Sequence, residues 1–295
     1  MSKTFIPIDL HCHSTYSDGS LTLPELFEMV QKNNGRYLAL TDHDTVAGLA
    51  EAHALAPQYN INLISGVEIS VSWRGNNLVH IVGLGVDANN QQLIDNLNSL
   101  RAQRIERGRK IADKLARIGI HGAFEGAMSY CKNPEALSRT HFNDWLVAKE
   151  YAKAGKAFDK YLAPGKAGYV AQKWAELEDA VKWIKDSGGI AIIAHPARYK
   201  FTRTKLGNLI TDFKACGGSG IEVISSSHSL QDEEYIASLC QHYGLLASIG
   251  SDFHKNESYR TIRPGINKAP PHGLATVFDF LGITDTSFEV ETHDK

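Results

Sequence analysis

The chain has 295 residues, of which 43% are hydrophobic and 22% charged, a composition typical of a globular protein with a sizeable core. The net charge of −2 and a pI near 6.7 argue against a protein that coats duplex nucleic acid with a basic surface. The four cysteines form no CxxC pair, which argues against a thiolate zinc site, and so few cysteines in a chain this long argue against a disulfide framework.

The N-terminal segment and the hydropathy pattern indicate a cytoplasmic protein. Residues 1–9 lack the basic region, apolar core and cleavage site of a signal peptide. Apolar runs all fall short of the ~20 residues that span a bilayer. We therefore expect reduced thiols and no membrane contact, and we favour a monomer.

Short apolar runs alternate with amphipathic stretches along most of the chain. In chain order, the predicted strands are 5–10, 37–41, 62–67, 79–84, 190–194, 220–224 and 245–250. The predicted helices are 24–33, 46–59, 91–118, 174–187, 205–215 and 230–243. This βαβα order predicts an α/β fold with a mostly parallel sheet.

The alternation stops between about residues 91 and 168, where the patterns are helical and no strand is predicted. The helix at 91–118 carries a basic run: Arg101, Arg104, Arg107, Arg109, Lys110, Lys114 and Arg117. Such a run is most often a solvated helix face, and the alternative is a positively charged cap over a functional site. We assign 1–90 and 171–285 to the α/β domain, 91–170 to an inserted, mainly helical cap and 286–295 to a polar tail.

Histidines and carboxylates recur at or near the ends of the predicted strands. His11 and His13 lie two residues apart, so strand alternation sends both imidazoles the same way, and Asp252 and His254 repeat this spacing. Further candidate ligands occur between them: Asp18, His43, Glu68, His80, His195 and, more weakly, His228. Nitrogen and carboxylate donors drawn from many strands predict one cluster of divalent ions.

Two of these histidines are ambiguous on their own. A single histidine in an apolar strand is more often a hydrogen-bonded core residue than a ligand. His195, however, precedes Pro196 at a strand end, and His80 follows a turn. Ligands at the ends of seven strands favour a barrel, because barrel sites lie at the carboxyl ends of the strands.

The motifs resemble those of the PHP (polymerase and histidinol phosphatase) family. The resemblance is carried by His11-x-His13, Asp18-Gly19, Thr41-Asp42-His43, Gly66-Val67-Glu68, His80, His195-Pro196 and Asp252-x-His254. It implies a distorted, TIM-like (β/α)7 barrel that holds two or three divalent ions. One ion would take His11, His13, Glu68 and Asp252. A second would take Asp18, His43 and His254, and a third would share Glu68 with His80 and His195.

The nature of the ions and the roles of the residues follow in part from the same resemblance. A donor set of histidine and carboxylate suits manganese, zinc or iron, and the resemblance favours Mn²⁺. We expect Glu68, Asp252 and His195 to act closest to the reaction. His195 and Asp44 are both candidates for protonating a leaving oxygen.

Segments 137–142 and 160–170 resemble one PHP subgroup, which contains the nucleoside 3',5'-bisphosphate phosphatases and the RNase AM (TrpH-like) 5'-to-3' exoribonucleases. This resemblance implies hydrolysis of a phosphoester at the 3' oxygen of a nucleotide with a 5' phosphate. The substrates would be 5'-phosphorylated RNA ends and pAp. Arg139, Lys166 and Arg198 are predicted to bind phosphate. Two alternatives stay open: a phosphatase for small molecules such as pAp or histidinol phosphate, and a non-catalytic metal-binding module.

Overall fold

The computed structural model describes residues 3–5, 7–75, 77–172, 174–255, 263–266, 268–284 and 287–289. Its strands are β1 (Lys3–Phe5), β2 (Ile8–Cys12), β3 (Tyr37–Leu40), β4 (Asn62–Trp73), β5 (Asn77–Leu84), β6 (Ala175–Glu176), β7 (Ile190–Ile193), β8 (Gly220–Ser225), β9 (Leu246–Gly250) and β10 (Ser287–Glu289). Its α-helices are α1 (Leu23–Lys32), α2 (Leu49–Leu55), α3 (Gln91–Ala116), α4 (Ala123–Ser129), α5 (Arg139–Ala148), α6 (Leu177–Asp186), α7 (Arg203–Ala215) and α8 (Leu230–Tyr243).

Seven strands form a nearly closed sheet in the order β2-β3-β4-β5-β7-β8-β9, and β6 pairs with β4. Neighbouring strands on this path are parallel, except that β5 is antiparallel to both β4 and β7. Backbone bonds link β2 to the chain after β9: Asp252 N–H donates to the His11 carbonyl (2.8 Å) and His13 N–H to the Phe253 carbonyl (3.0 Å). The prediction of a distorted (β/α)7 barrel is confirmed.

Strand β4 is longer than the sequence prediction, which ended it at residue 67. It continues to Trp73 because apolar and serine residues keep alternating, and it pairs with β5 along this whole extension. Glu68 therefore lies within a strand and not at its end. Because β5 runs in the opposite direction, His80 near its start reaches the same barrel end as the carboxyl ends of the parallel strands.

Other predicted elements differ from the structure at their ends. The predicted strand at 5–10 is divided between β1 and β2 around Pro7, which cannot donate a ladder hydrogen bond. The helix predicted at 46–59 begins at Leu49 and finishes as a 3₁₀ turn, Ala56–Tyr59. The helix predicted to start at residue 174 starts at Leu177, after β6.

Alternate residues of the strands pack into two clusters, one on each face of the sheet. In β7, Ile193 packs with the helices, including Phe27 of α1, whereas Ile192 belongs to the barrel interior. The interior cluster also contains Val277 and Phe278 from the C-terminal region. The interior of the barrel is apolar, and the candidate ligands lie at one end of the barrel.

Helix α3 joins the barrel to the cap. Its first half contributes Leu93 and Leu97 to the core shared with the barrel, and its second half contributes Ile111 and Leu115 to a third cluster with α4 and α5. Residues 91–170 contain helices and no strand, as predicted. Because α3 belongs to both cores, the domain boundary at residue 91 stays a prediction.

The described part of the predicted polar tail, 286–295, is one short strand. Strand β10 pairs in antiparallel fashion with β1, while residues 286 and 290–295 lie outside the described residues. Among the helices that the structure describes, none has both the length and the apolar character needed to cross a bilayer.

Candidate metal centre

The carboxylate of Glu68 lies at the centre of a histidine cluster and is fully buried. Its Oε1 lies 2.9 Å from His80 Nδ1 and 3.0 Å from His195 Nε2. Its Oε2 lies 3.0–3.2 Å from ring nitrogens of three further histidines: His11, His13 and His43. The two oxygens of one side chain thus face two different groups of nitrogens, as a carboxylate that bridges ions would.

The first predicted ligand set converges closely. The Nε2 atoms of His11 and His13 lie 3.1 Å apart, and they lie 3.7 Å and 3.4 Å from Asp252 Oδ1. With Glu68, these residues offer four donor atoms within 4.8 Å of one another. They come from β2, β4 and the turn after β9, which barrel closure brings together.

The remaining predicted ligands adjoin this set. Asp18 Oδ1 lies 3.3 Å from His254 Nε2 and 4.0 Å from His43 Nε2, and these residues form a second group with His13. A third group consists of His43, Glu68 and His80, with His195 on the same Glu68 oxygen as His80. All nine predicted ligands therefore lie in one cluster, and their division among individual ions stays a prediction.

Unpartnered oxygens indicate that the cluster suits cations. Asp18 Oδ1, Glu68 Oε2 and Asp252 Oδ1 are buried without a hydrogen-bond partner, although ring nitrogens lie close to each. Burial alone would raise the pKa of Glu68, yet His43, His11 and His80 hold it well below its usual range. Ionised, unsatisfied oxygens among imidazoles are costly without a compensating charge, so the residues present fit divalent ions.

Strained backbone places several of these side chains. Asp44, His195 and Asp252 have φ values of 52°, 28° and 50°, in the left-handed region that non-glycine residues rarely adopt. They follow β3, β7 and β9, where the chain turns across the barrel end. Such strain persists when the surrounding structure enforces it, and it occurs most often at functional sites.

Asp42 organises the loop that carries Asp18. Its Oδ1 accepts hydrogen bonds from Ser14 N–H (2.8 Å) and Ser17 Oγ (2.5 Å), and its Oδ2 accepts one from Ser14 Oγ (2.7 Å). Gly19 closes the same loop, since a Cβ there would lie 2.5 Å from the His13 carbonyl oxygen. The loop is thereby held against β2 beside the first ligands.

Asp44, one of the two candidates for a proton donor, is engaged on the cap side. Its Oδ1 accepts a hydrogen bond from Ser70 N–H (2.8 Å), and its Oδ2 accepts two from the Arg104 guanidinium. Arg104 is itself buried and belongs to α3. Asp44 therefore anchors the cap helix to the barrel, which leaves His195 as the candidate donor.

The Asp44–Arg104 pair leads to a stability prediction. Asp44→Asn should lower the free energy of unfolding by about 3–5 kcal/mol, because it leaves a buried guanidinium without its counter-charge. Urea unfolding followed by tryptophan fluorescence measures this. Glu28→Gln, in an exposed pair with Lys32, is the control and should change stability by less than about 1 kcal/mol. Equal midpoints for the two variants would contradict the anchoring role.

A cavity of about 290 Å³ lies between the cluster and the cap. Its barrel side is formed by Asp18, His43, Ser70, Leu78, His80, Arg198, His254 and Lys255. Its other lining residues belong to or follow the cap: Arg104, Arg107, Ser138, Arg139, Thr140, Asn143, Phe158 and Trp174. Candidate ligands and cap guanidinium groups therefore face one shared cavity.

The cap side of this cavity carries buried positive charge. Arg107 is 9% exposed, and its Nε donates to the Val170 carbonyl (3.1 Å). Arg139 Nη1 donates to the Leu162 carbonyl (3.3 Å). Burial, followed by the charges of Arg139 and Arg104, lowers the pKa of Arg107. A bound anion would offset the repulsion between these guanidinium groups, so this side of the cavity suits a phosphate.

Part of the basic run of α3 faces the cavity, and part of it is a solvated helix face. Arg104 and Arg107 are buried and line the cavity, as the charged-cap alternative requires. The residues beyond them are exposed, as on a solvated helix face: Arg109, Lys110, Lys114 and Arg117. Helical spacing alone does not tell which side of a basic helix meets a cavity.

The three predicted phosphate-binding residues have different settings. Arg139 and Arg198 line the cavity, and Arg198 Nη1 donates to Asp252 Oδ2 at 2.6 Å. The charge of Asp252 raises the pKa of Arg198. Lys166 is exposed and does not belong to the described lining of the cavity. Its predicted role therefore has no support from this geometry.

Sequence reasoning missed Glu222. This residue lies in β8 and is 1% exposed, with Oε1 2.5 Å from His11 Nδ1. The available signal was an acidic residue between Ile221 and Val223 in an apolar strand. His228, the weaker ligand candidate, instead bonds the Val223 carbonyl through Nδ1 (3.0 Å).

Comparison with known proteins identifies the family. The PHP domain matches residues 9–192, more than half of the chain. The chain belongs to the PHP family. A 3',5'-nucleoside bisphosphate phosphatase of Chromobacterium violaceum is 52% identical over 84% of this chain and 87% of its own. A 5'-3' exoribonuclease of Haemophilus influenzae is 41% identical over 83% of this chain and 89% of its own.

A solved structure is similar over the whole PHP protein. It is described as an amidohydrolase from Chromobacterium violaceum with bound sulfate and no metal. It shares 45% sequence identity, covers 98% of this chain and 100% of its own, and has a TM-score of 0.89. The family match and the two named relatives confirm the predicted PHP phosphoesterase, a hydrolase with a cluster able to hold metal ions.

Proposed function

We propose that this PHP protein hydrolyses the phosphoester at the 3' oxygen of nucleotides that carry a 5' phosphate. Its substrates would be 5'-phosphorylated RNA ends, which it would shorten in the 5'-to-3' direction, and nucleoside 3',5'-bisphosphates such as pAp. The observation that carries the proposal is the single cavity with candidate ligands on one side and buried guanidinium groups on the other. Such a cavity has places for two phosphates. Relatives named as a bisphosphate phosphatase and an exoribonuclease support both substrates.

The proposed metal ligands are the nine residues of the cluster: His11, His13, Asp18, His43, Glu68, His80, His195, Asp252 and His254. Two or three divalent ions bound there would lower the pKa of a water molecule and neutralise phosphoryl oxygens. We propose Mn²⁺, on the family resemblance, and the same donors also suit Zn²⁺ and Fe²⁺. Glu68 and Asp252 would hold these ions beside the reacting phosphate, because both carboxylates are buried and neighbouring positive groups hold their pKa values well below the usual range.

Arg198 would contact the phosphate that reacts. Its Nη1 is fixed by Asp252, while 49% of its side chain is exposed at the cavity, so further guanidinium donors are available. A guanidinium can bind two phosphoryl oxygens through parallel hydrogen bonds. Arg198 would thereby hold the 3' phosphate against the ligand cluster.

The cap would hold the 5' phosphate through Arg107 and Arg139. Both side chains line the cavity, and their hydrogen bonds in the described part of the chain go to backbone carbonyls. Arg104 adds positive charge, but Asp44 already engages it. A site that binds the terminal phosphate and cleaves one nucleotide away would release mononucleotides in succession from an RNA end.

A phosphatase restricted to small molecules is the second candidate. The cavity of about 290 Å³ is at the small end of ligand pockets, which start near 300 Å³, and this size favours a single nucleotide such as pAp. Histidinol phosphate would leave the cap guanidinium groups without a phosphate. The complete set of donors argues against a non-catalytic module.

The test uses Mn²⁺-loaded protein and four substrates. We expect stepwise release of mononucleotides from 5'-phosphorylated RNA, hydrolysis of pAp, and weak activity on 5'-hydroxyl RNA and on histidinol phosphate. Labelled products resolved by electrophoresis show the direction of cleavage. Intact RNA alongside rapid pAp hydrolysis would instead establish the small-molecule phosphatase.

We also propose that the protein is a monomer and that it is cytoplasmic. Every proposed ligand comes from one chain, so the cluster needs no second subunit. The four cysteines are free thiols, as the reducing cytoplasm keeps them.

A further inference from the structure

One carboxylate contacts two of the proposed metal ligands from behind the cluster. Glu222 Oε1 lies 2.5 Å from His11 Nδ1, and Glu222 Oε2 accepts a hydrogen bond from the backbone N–H of His195 at 2.6 Å. His11 belongs to β2 and His195 follows β7, so the bonds from β8 reach elements on either side of it in the barrel. Glu222 lies outside the groups of residues that could hold an ion.

The bond to His11 decides which ring nitrogen is free for an ion. A carboxylate accepts hydrogen bonds, so where Glu222 is the acceptor in this contact, the proton lies on His11 Nδ1. The Nε2 lone pair of a neutral ring is then directed at the cluster, where Nε2 lies 3.2 Å from Glu68 Oε2. Metal-binding histidines commonly have their second nitrogen fixed in this way.

The bond to His195 holds a strained turn. His195 has φ +28°, and its N–H is a donor in every protonation state of the side chain. Its neighbour Ala197 donates a backbone N–H to His228 Nε2 at 3.4 Å. Residues of β8 and of the turn after it therefore fix the backbone that carries His195.

Close packing of β9 keeps the His11–Glu222 pair in register. A Cβ at Gly250 would lie 2.3 Å from His11 Cβ and 3.1 Å from Glu222 Oε1. Only a glycine allows the β9 backbone to approach this closely, and the approach leaves both side chains little freedom to move.

We propose that Glu222 is a positioning residue, whose two oxygens together set the proton of His11 on Nδ1 and hold the backbone of His195. The inference rests on the proposed function insofar as His11 and His195 are metal ligands. Glu222 would act through them and would touch neither ion nor substrate. Both of its oxygens must be acceptors at once, which makes a carboxylate necessary.

Glutamine at position 222 would keep the shape of the side chain, but it would exchange donor and acceptor in one of the two hydrogen bonds. The amide has one acceptor and one donor end, whereas both of its partners present N–H groups in the native arrangement. The His195 N–H cannot change, so the amide oxygen faces it and the NH₂ faces His11 Nδ1. That nitrogen must then be an acceptor, which moves the proton of a neutral ring to Nε2 and blocks the lone pair directed at the cluster.

The test compares Glu222→Gln with Glu233→Gln. Glu233 is another buried carboxylate, which lies on α8 and pairs with Lys268. First, nitrogen NMR of histidine-labelled, metal-free protein, at a pH where the His11 ring is neutral, shows whether His11 Nδ1 carries a proton. We expect it in wild type and in Glu233→Gln, and its loss in Glu222→Gln. Second, chelator competition should show about 10- to 100-fold weaker Mn²⁺ binding in Glu222→Gln alone.

Each outcome decides one point. A proton retained on His11 Nδ1 in Glu222→Gln overturns the inference, whatever the metal affinity. Loss of that proton with unchanged Mn²⁺ binding supports the positioning of His11 and overturns His11 as a ligand in the proposed function. If Glu222→Gln does not fold, Gly250→Ala is the second variant. It should displace His11 and weaken Mn²⁺ binding at least tenfold, and wild-type affinity would overturn the inference.

Discussion

Glu68→Gln is expected to remove bound metal and activity together. The Oε1 atom of Glu68 faces His80 and His195, and its Oε2 atom faces three further histidines: His11, His13 and His43. The amide of glutamine must turn its NH₂ toward one of these two groups. Ions at such a centre contribute several kcal/mol to the transition state, so kcat should fall by roughly 10³-fold or more. Elemental analysis of the purified protein and hydrolysis of pAp measure the two losses.

Glu233→Gln is the matched control for this variant. It makes the same substitution at a buried carboxylate that contacts Lys268 and no proposed ligand. Metal content and kcat should stay near the wild-type values. A Glu68→Gln protein with full metal content and full activity would rule out the bridging role of Glu68.

Arg107→Ala is expected to abolish most of the preference for a 5' phosphate. A hydrogen bond to a charged group contributes about 1.5–3 kcal/mol, so two bonds from one guanidinium correspond to a fall of roughly 10²-fold or more in kcat/KM. The loss should apply to 5'-phosphorylated RNA and to pAp. Activity on 5'-hydroxyl RNA, low from the start, should change little, and metal content should not change.

Arg109→Ala provides the control on the same helix. Arg109 is exposed and its guanidinium stacks over Phe124 at 4.5 Å, outside the lining of the cavity. Parallel assays should show wild-type kinetics for this variant. If Arg107→Ala reduced kcat/KM equally for 5'-phosphorylated and 5'-hydroxyl RNA, Arg107 would support the fold of the cap and would not recognise the 5' phosphate.

The barrel and the cluster were predictable because their signals are local. The pair His11 and His13, repeated by Asp252 and His254, follows from strand alternation. Most further ligands adjoin or lie within short apolar runs, and Asp18 lies in a turn-rich segment soon after His13. The continuation of β4 beyond residue 67 was harder to predict. Whether Glu68 ends a strand or lies within it depends on the pairing with β5, a long-range contact that local alternation does not specify.

The parts that sequence could not predict depend on tertiary contacts. Arg107 and Arg109 lie two residues apart in one basic run, yet one is buried at the cavity and the other is exposed. Glu222 had no motif around it, and its contacts with His11 and with the backbone of His195 form only when the barrel closes. Lys166 was predicted to bind phosphate, but the chain presents it to solvent.

Helix α3 sets the spatial relation between the barrel side and the cap side of the cavity. It is one uninterrupted helix of 26 residues, fixed to the barrel core in its first half and to the cap core in its second. Removing one residue before Arg104 would rotate the following guanidinium groups by about 100° around the helix axis. Under the proposed function, the distance between the two bound phosphates would therefore depend on the rotational phase of this helix as well as on its length.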